Sequence, residues 1–201
     1  MAIELYMLAD QVPGIHKIDS ESDFATDQKK FIRLETFAQG ISRPAALIRP
    51  SALKAGIRAA RVEHGNIVAT RKFDPSSMAL MQAHVQGLTL SSVHIFGCRV
   101  LKDPKSKDRK PRPLLHVMMS DVVIAEFDYA VMSESASETI EFRYSSIGWR
   151  LRSVERGSAT DDTKSWTECW WNGKKNEATR DEDAFTAAML NTDKVFDDAG
   201  F

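Results

Sequence analysis

Phe31-Ile32-Arg33-Leu34-Glu35-Thr36-Phe37-Ala38-Gln39-Gly40 sets Ile32 and Leu34 against Arg33 and Glu35. In an extended chain successive side chains point to opposite faces, so this alternation predicts a half-buried strand. The same period recurs in both directions. Ile3 to Leu8 predicts a first strand, and the polar, turn-rich Gly14 to Gln28 predicts a loop. Ala60 to Phe73 holds a strand around Ile67-Val68-Ala69-Thr70, with Gly65-Asn66 as a turn or bulge. Val93 to Leu101 alternates again. Leu114 to Phe127 is rich in β-branched residues and long enough for one bent strand or two. Thr139 to Val154 closes the set, with Ile140, Phe142 and Tyr144 on one face and Glu141 and Arg143 on the other.

One helix interrupts the strands. Asp74 stands where an N-cap is wanted, and Pro75 at the first helical position, where the missing N–H costs nothing. Met78, Met81 and Val85 share a helical face, predicted here to pack into a core rather than to hold a ligand. Gly87 supplies a left-handed residue at the C-terminal end. One short helix among many strands predicts a mainly β protein, a barrel or sandwich with one packed helix.

The chain has 201 residues, 43% hydrophobic and 27% charged, which suits a globular fold rather than a disordered or fibrous one. Its 27 basic and 28 acidic side chains leave a net charge of -1, so nothing recommends nucleic-acid binding. That total hides a division. Residues 1–156 hold 22 Lys/Arg and 18 Asp/Glu, while residues 157–201 hold 5 and 10. Gly157, Ser158, Thr160, Asp161 and Asp162 read as a linker, giving a barrel domain over 1–156 and an acidic, Trp-rich extension over 157–201. The first ten residues carry no basic leader, and no run reaches the roughly 20 apolar residues of a membrane helix, so a cytosolic protein without membrane insertion is expected.

No motif for catalysis, for a cofactor or for phosphate cradling occurs, and no enzyme activity is expected. His84, His94 and His116 fall in separate elements, the latter two in strands that can lie side by side. Two histidines fall short of the usual ligand set of about four, so no metal site is expected. Cys98 alternates within a strand and is expected to be buried and inert; with Cys169 as the second cysteine, at most one disulfide can form. Lys102 to Arg112 carries six basic and two acidic residues and no aromatics, as a solvated hairpin loop would. Ile41 to Ala59 is long for a connection and rich in apolar residues. It either folds over its own core or leaves the domain to dock on a neighbour.

Three stretches together resemble a known family. Phe31 to Pro44, ending Gly40-Ile41-Ser42-Arg43-Pro44, is one. Thr70-Arg71-Lys72-Phe73-Asp74-Pro75-Ser76-Ser77, leading into the helix, is the second. The third is Ser137 to Tyr144 followed by Ile147-Gly148-Trp149. In this order and spacing they resemble the haemolysin-coregulated protein (Hcp) family of type VI secretion systems, over residues 1 to about 156. The resemblance implies a two-sheet β-barrel with one flanking helix. It implies a homo-hexameric ring that stacks head to tail into a tube, propelled by a contractile sheath and exported with a spike from a baseplate. It also implies small effector proteins in the lumen and export without a signal peptide, into the medium or a target cell. Within this reading Ile41 to Ala59 becomes the ring-stacking loop, with Pro44, Ala46, Leu47, Ile48, Leu53 and Ile57 as its contacts. A β-barrel adaptor or a phage-like tail-tube protein is the alternative.

The extension holds Trp166, Trp170 and Trp171, three of four tryptophans. They are expected to dock it on the barrel or on a neighbouring subunit, because large aromatics gain most when buried. Asn172-Gly173 predicts a hairpin turn, and Asp181 to Leu190 a short helix with acids at its positive end.

Overall fold

The structure is a computed structural model that describes residues 3–9, 12, 25–26, 29–42, 62–102, 109–152 and 166–173. Its elements are β1 (Ile3–Ala9), β2 (Ala25–Thr26), β3 (Lys29–Lys30), β4 (Ile32–Leu34), β5 (Thr36–Ser42), β6 (Glu63–Lys72) and α1 (Pro75–Val85). They continue as β7 (Thr89–Lys102), β8 (Arg109–Val131), β9 (Ala136–Arg143), β10 (Ser146–Arg152) and β11 (Trp166–Asn172). β2 and β3 form a small two-stranded sheet that begins inside the segment expected to be a loop and ends just past it. The other strands make one nine-stranded antiparallel sheet in the order β4-β1-β7-β8-β9-β6-β5, with β10 on β8 and β11 on β10.

β4 and β5 stand at the two ends of that path, yet only Glu35 separates them in the chain. The Glu35 N–H donates to the Thr70 carbonyl of β6 at 2.8 Å. One continuous segment thus pairs with β1 through its first half and with β6 through its second, and the sheet curls back on itself. The fold is mainly β and barrel-like with one flanking helix, as expected, and its main strands run in one continuous nine-stranded ladder. Closure removes most of the exposed strand edge that an open sheet would carry.

β8 answers the choice between one strand and two: it is a single bent strand. Asp121 takes a φ of 49°, rare for a residue with a side chain, and the chain bends there. Before the bend β8 pairs with β10, after it with β9. A second irregularity lies between Gln39 and Ile41, opposite the Gly65-Asn66 pair, as the sequence suggested. A Cβ on Gly65 would stand 3.0 Å from the Gly40 carbonyl, so this close crossing favours glycine.

The main core gathers Met7, Ile32, Leu34, Ile67, Ala69, Val93, Ile95, Val117, Met119, Ile140, Phe142 and Ile147 around the inner face. A second cluster, Tyr6, Leu8, Phe31, Phe96 and Cys98, occupies the opposite face. β1 is therefore buried on both sides, which is why its apolar run is nearly unbroken.

α1 is built by its ends. The Asp74 side chain accepts from the Ser76 N–H at 2.7 Å, and Ser77 Oγ accepts from the Asp74 N–H at 2.9 Å, a reciprocal box. At the other end Gly87 has a φ of 61°, and its N–H and that of Leu88 donate to His84 and Ala83 carbonyls. The buried face differs from the expected one. Ser76, Ser77, Ala79, Leu80 and Ala83 face the sheet, whereas Met78 is 49% and Val85 78% exposed. Of the predicted stripe only Met81 is half-buried, and Leu80 is the large apolar side chain that α1 buries. His84 Nδ1 lies 2.8 Å from the Ile124 carbonyl and fastens the helix to that strand.

Candidate assembly interface

A polar-aromatic cluster joins β5, β6, β10 and β11. Gln39 on β5 donates from its amide to the Tyr144 hydroxyl at 2.5 Å and accepts from Trp149 Nε1 at 3.0 Å. The Tyr144 hydroxyl donates to the Gly65 carbonyl at 3.0 Å. Burial raises that phenol to about 12, with the Gln39 bond opposing the shift. His64 stacks on Trp171 with ring centroids 3.9 Å apart and lies 5.8 Å from Trp149. Trp149 and Trp171 both pack against the main core, so β11 contributes a side chain to it.

The opposite face carries the other tryptophans. Register places Tyr6, Phe96, His116, Arg150 and Glu168 side by side in one row across five strands. Arg150 Nε binds Glu168 Oε1 at 2.9 Å, and its guanidinium lies 5.0 Å from the Trp166 ring centroid. One row along, Trp170 covers Gly148, where a Cβ would fall inside the indole ring. β11 is thus bonded to β10 and anchored on both faces. Asn172 is its last residue, Gly173 is a turn, and the Gly173 N–H donates to the Ser145 carbonyl at 2.9 Å. The linker at Gly157 and the helix expected at 181–190 lie outside the described residues.

The helix cap sits over a buried ionic cluster that the sequence did not announce. Arg71 is 1% exposed; its guanidinium pairs with Asp74 and, through Nε at 3.1 Å, with Glu138. Strand β6, strand β9 and the start of α1 are joined at this point. Burial pushes the Glu138 carboxyl up, while Ser77 and Arg71 oppose the push. A raised folded value means the folded state keeps its proton to higher pH than the unfolded chain. The stability from that proton is full below the ordinary 4.5 and lost as pH rises through the raised value. Glu138→Gln should therefore gain stability relative to the parent as pH goes from acid to neutral, read from denaturant midpoints across pH.

The remaining candidates fall as follows. His94 and His116 meet on adjacent strands, Nδ1 to Nε2 at 3.0 Å, and no third metal-ligating side chain joins them among the described residues. Cys98 is buried, with its thiol pushed up to about 12 by burial, and Cys169 is exposed; both are free. Arg109 to Arg112 belong to β8 rather than to a loop, and 103–108 lie outside the described residues. So do Pro44, Ala46, Leu47, Ile48, Leu53 and Ile57. The chain enters that segment at the end of β5, where Ile41 is 55% exposed. Tyr129, Val131 and Met132 are also exposed around the β8–β9 turn. Gln39, His64, Arg71 and Arg150 escaped the sequence reading, because each acts through a partner on another strand. The only local signal was Arg71 three residues before the cap Asp74.

Comparisons with known proteins agree with this geometry. Residues 12–151 match the family described as type VI secretion system effector, Hcp. A solved type six secretion system protein superposes with a TM-score of 0.67 at 20% identity, covering 88% of this chain and 99% of its own. Hcp1 from Salmonella typhimurium gives 0.61 at 14%, covering 89% and 100%. A type VI secretion system effector from Yersinia pestis gives 0.55 at 14%, covering 84% and 98%. At these identities the structures share the fold, while no curated protein matches. The family match spans well over half of the chain, from before β2 to the end of β10, and the chain therefore belongs to the Hcp family, the tube subunits of type VI secretion.

Proposed function

We propose that the chain forms hexameric rings that stack head to tail into the inner tube of a type VI secretion apparatus, carrying small effectors in the lumen. The observation that supports this most is the Hcp match over residues 12–151, which takes in the strands from β2 into β10. A ring of identical copies docks one patch on a different patch of the next copy, and stacking needs a second pair. Exposed apolar side chains in separate regions suit that demand: Tyr129, Val131 and Met132 at the β8–β9 turn, Met78 and Val85 on the helix, and Ile41 leading into 43–61. The match to a secretion family disfavours an adaptor or a phage-like tail tube. Sedimentation and negative-stain microscopy of the purified chain should show annuli of six copies; a monomer at high concentration would overturn the ring.

Pro44, Ala46, Leu47, Ile48, Leu53 and Ile57 are the proposed contacts to the neighbouring ring. Each buried aliphatic side chain contributes about 1.5–3 kcal/mol. Leu47→Asp or Ile48→Asp should therefore weaken stacking about 10- to 100-fold while rings persist. Equal tube length in variant and parent would contradict that assignment. Residues 157–201 form an extension that Trp166, Trp170 and Trp171 dock on the barrel. Sheath, spike and baseplate are its further partners, with export from the cytoplasm on firing. Among the described residues no helix is long and apolar enough to cross a membrane.

A further inference from the structure

The buried imidazoles lie beside the arginine that holds the extension. His94 Nδ1 and His116 Nε2 are 3.0 Å apart, and His94 Nε2 lies 3.1 Å from Ser92 Oγ. Phe96 stacks on His116 with centroids 4.5 Å apart. His116 stands directly across from Arg150, which in turn stands directly across from Glu168. Arg150 is the hinge of this row. Its Nε bond to Glu168 and its contact with Trp166 both fasten β11. Glu168 also accepts from Trp170 Nε1 at 3.4 Å.

We propose that the His94–His116 pair is an acid-sensitive latch for β11: protonation places a cation against Arg150, breaks its hold on Glu168, and frees the strand while the barrel stays folded. One N–H between Nδ1 and Nε2 is enough to join the two rings, and their burial disfavours a charge on the pair. An added proton leaves a buried cation next to a second cation, an arrangement relieved by moving Arg150 away. The charged and titratable groups on this face, among the described residues, are Glu4 and Tyr6 on β1, Arg33 on β4 and Cys98 on β7. Arg150 and Arg152 on β10 and Glu168 on β11 complete them. Of the two acids, Glu4 accepts the Tyr6 hydroxyl at 2.6 Å and Glu168 is held by Arg150. Burial, His94 and Arg150 all hold the His116 ring well below its ordinary 6.5. The unfolded or released chain takes up protons first, so the latch is closed above 6.5 and loosens as pH falls below it.

Hydrogen exchange of the full chain, corrected for the intrinsic rate, tests this at about pH 7.5 and about pH 5. β11 amides should lose about tenfold or more of their protection in acid while β7 and β8 amides keep theirs. His116→Asn should abolish that loss, and His94→Asn, should the first variant fold poorly, should abolish it too. Glu168→Gln should loosen β11 already at neutral pH. Loss of protection in β7, β8 and β11 together would overturn the latch, as would an acid response that persists in both histidine variants.

Discussion

Arg71→Ala should destabilise the folded chain by about 3–5 kcal/mol, the cost of removing one partner from a buried ion cluster. Arg71 is 1% exposed, and its removal leaves the Glu138 and Asp74 carboxylates without their cation. Asp74 also caps α1, so the helix start and the β6–β9 pairing weaken together. Glu138 is already pushed toward its neutral form by burial, and loss of Arg71 pushes it further. The deficit should shrink toward acid pH, where the orphaned carboxyl is protonated. Denaturant melts of parent and variant at acid and neutral pH measure both the size and the trend. A deficit below about 1 kcal/mol, typical of a surface pair, would remove the cluster from the list of supports for the fold.

Gly148→Ala should cost about 1–3 kcal/mol as an overpacked contact and should detach β11 first. A methyl group at 148 occupies the space of the Trp170 ring, so the indole must leave its seat. β11 then keeps Trp171 against the core and the Arg150–Glu168 pair but loses its middle anchor. In the double variant with Trp170→Ala the clash disappears, and the two changes should couple by about 0.5–3 kcal/mol. Protease sensitivity of residues 166–173 and the tryptophan emission maximum follow the detachment. Additive effects in the cycle would show that Trp170 does not rest on Gly148.

The strands themselves were legible because period-two alternation is a local property. Ile32 and Leu34 against Arg33 and Glu35, or Ile140 and Phe142 against Glu141 and Arg143, need no partner to be recognised. The helix ends were legible for the same reason, since Asp74, Pro75 and Gly87 act within a few residues of themselves. The helix face was misread. Met78 and Val85 are more apolar than Ser76 and Ser77, but the helix lies with Leu80, Ala79, Ala83 and its two cap serines against the sheet.

The chain by itself therefore determined a strand-rich barrel with one capped helix and a family resemblance carried by three short stretches. Only the tertiary structure decided that β4 and β5 close the sheet through Glu35 and that Arg71 ties two strands to a helix cap. It alone placed His116, Arg150 and Glu168 in one row, and set Trp170 on Gly148 and Trp171 on His64. The reason is one of range. Alternation and capping are interactions between residues a few positions apart, whereas register and the burial of a charge are settled between strands that meet only after the chain has closed.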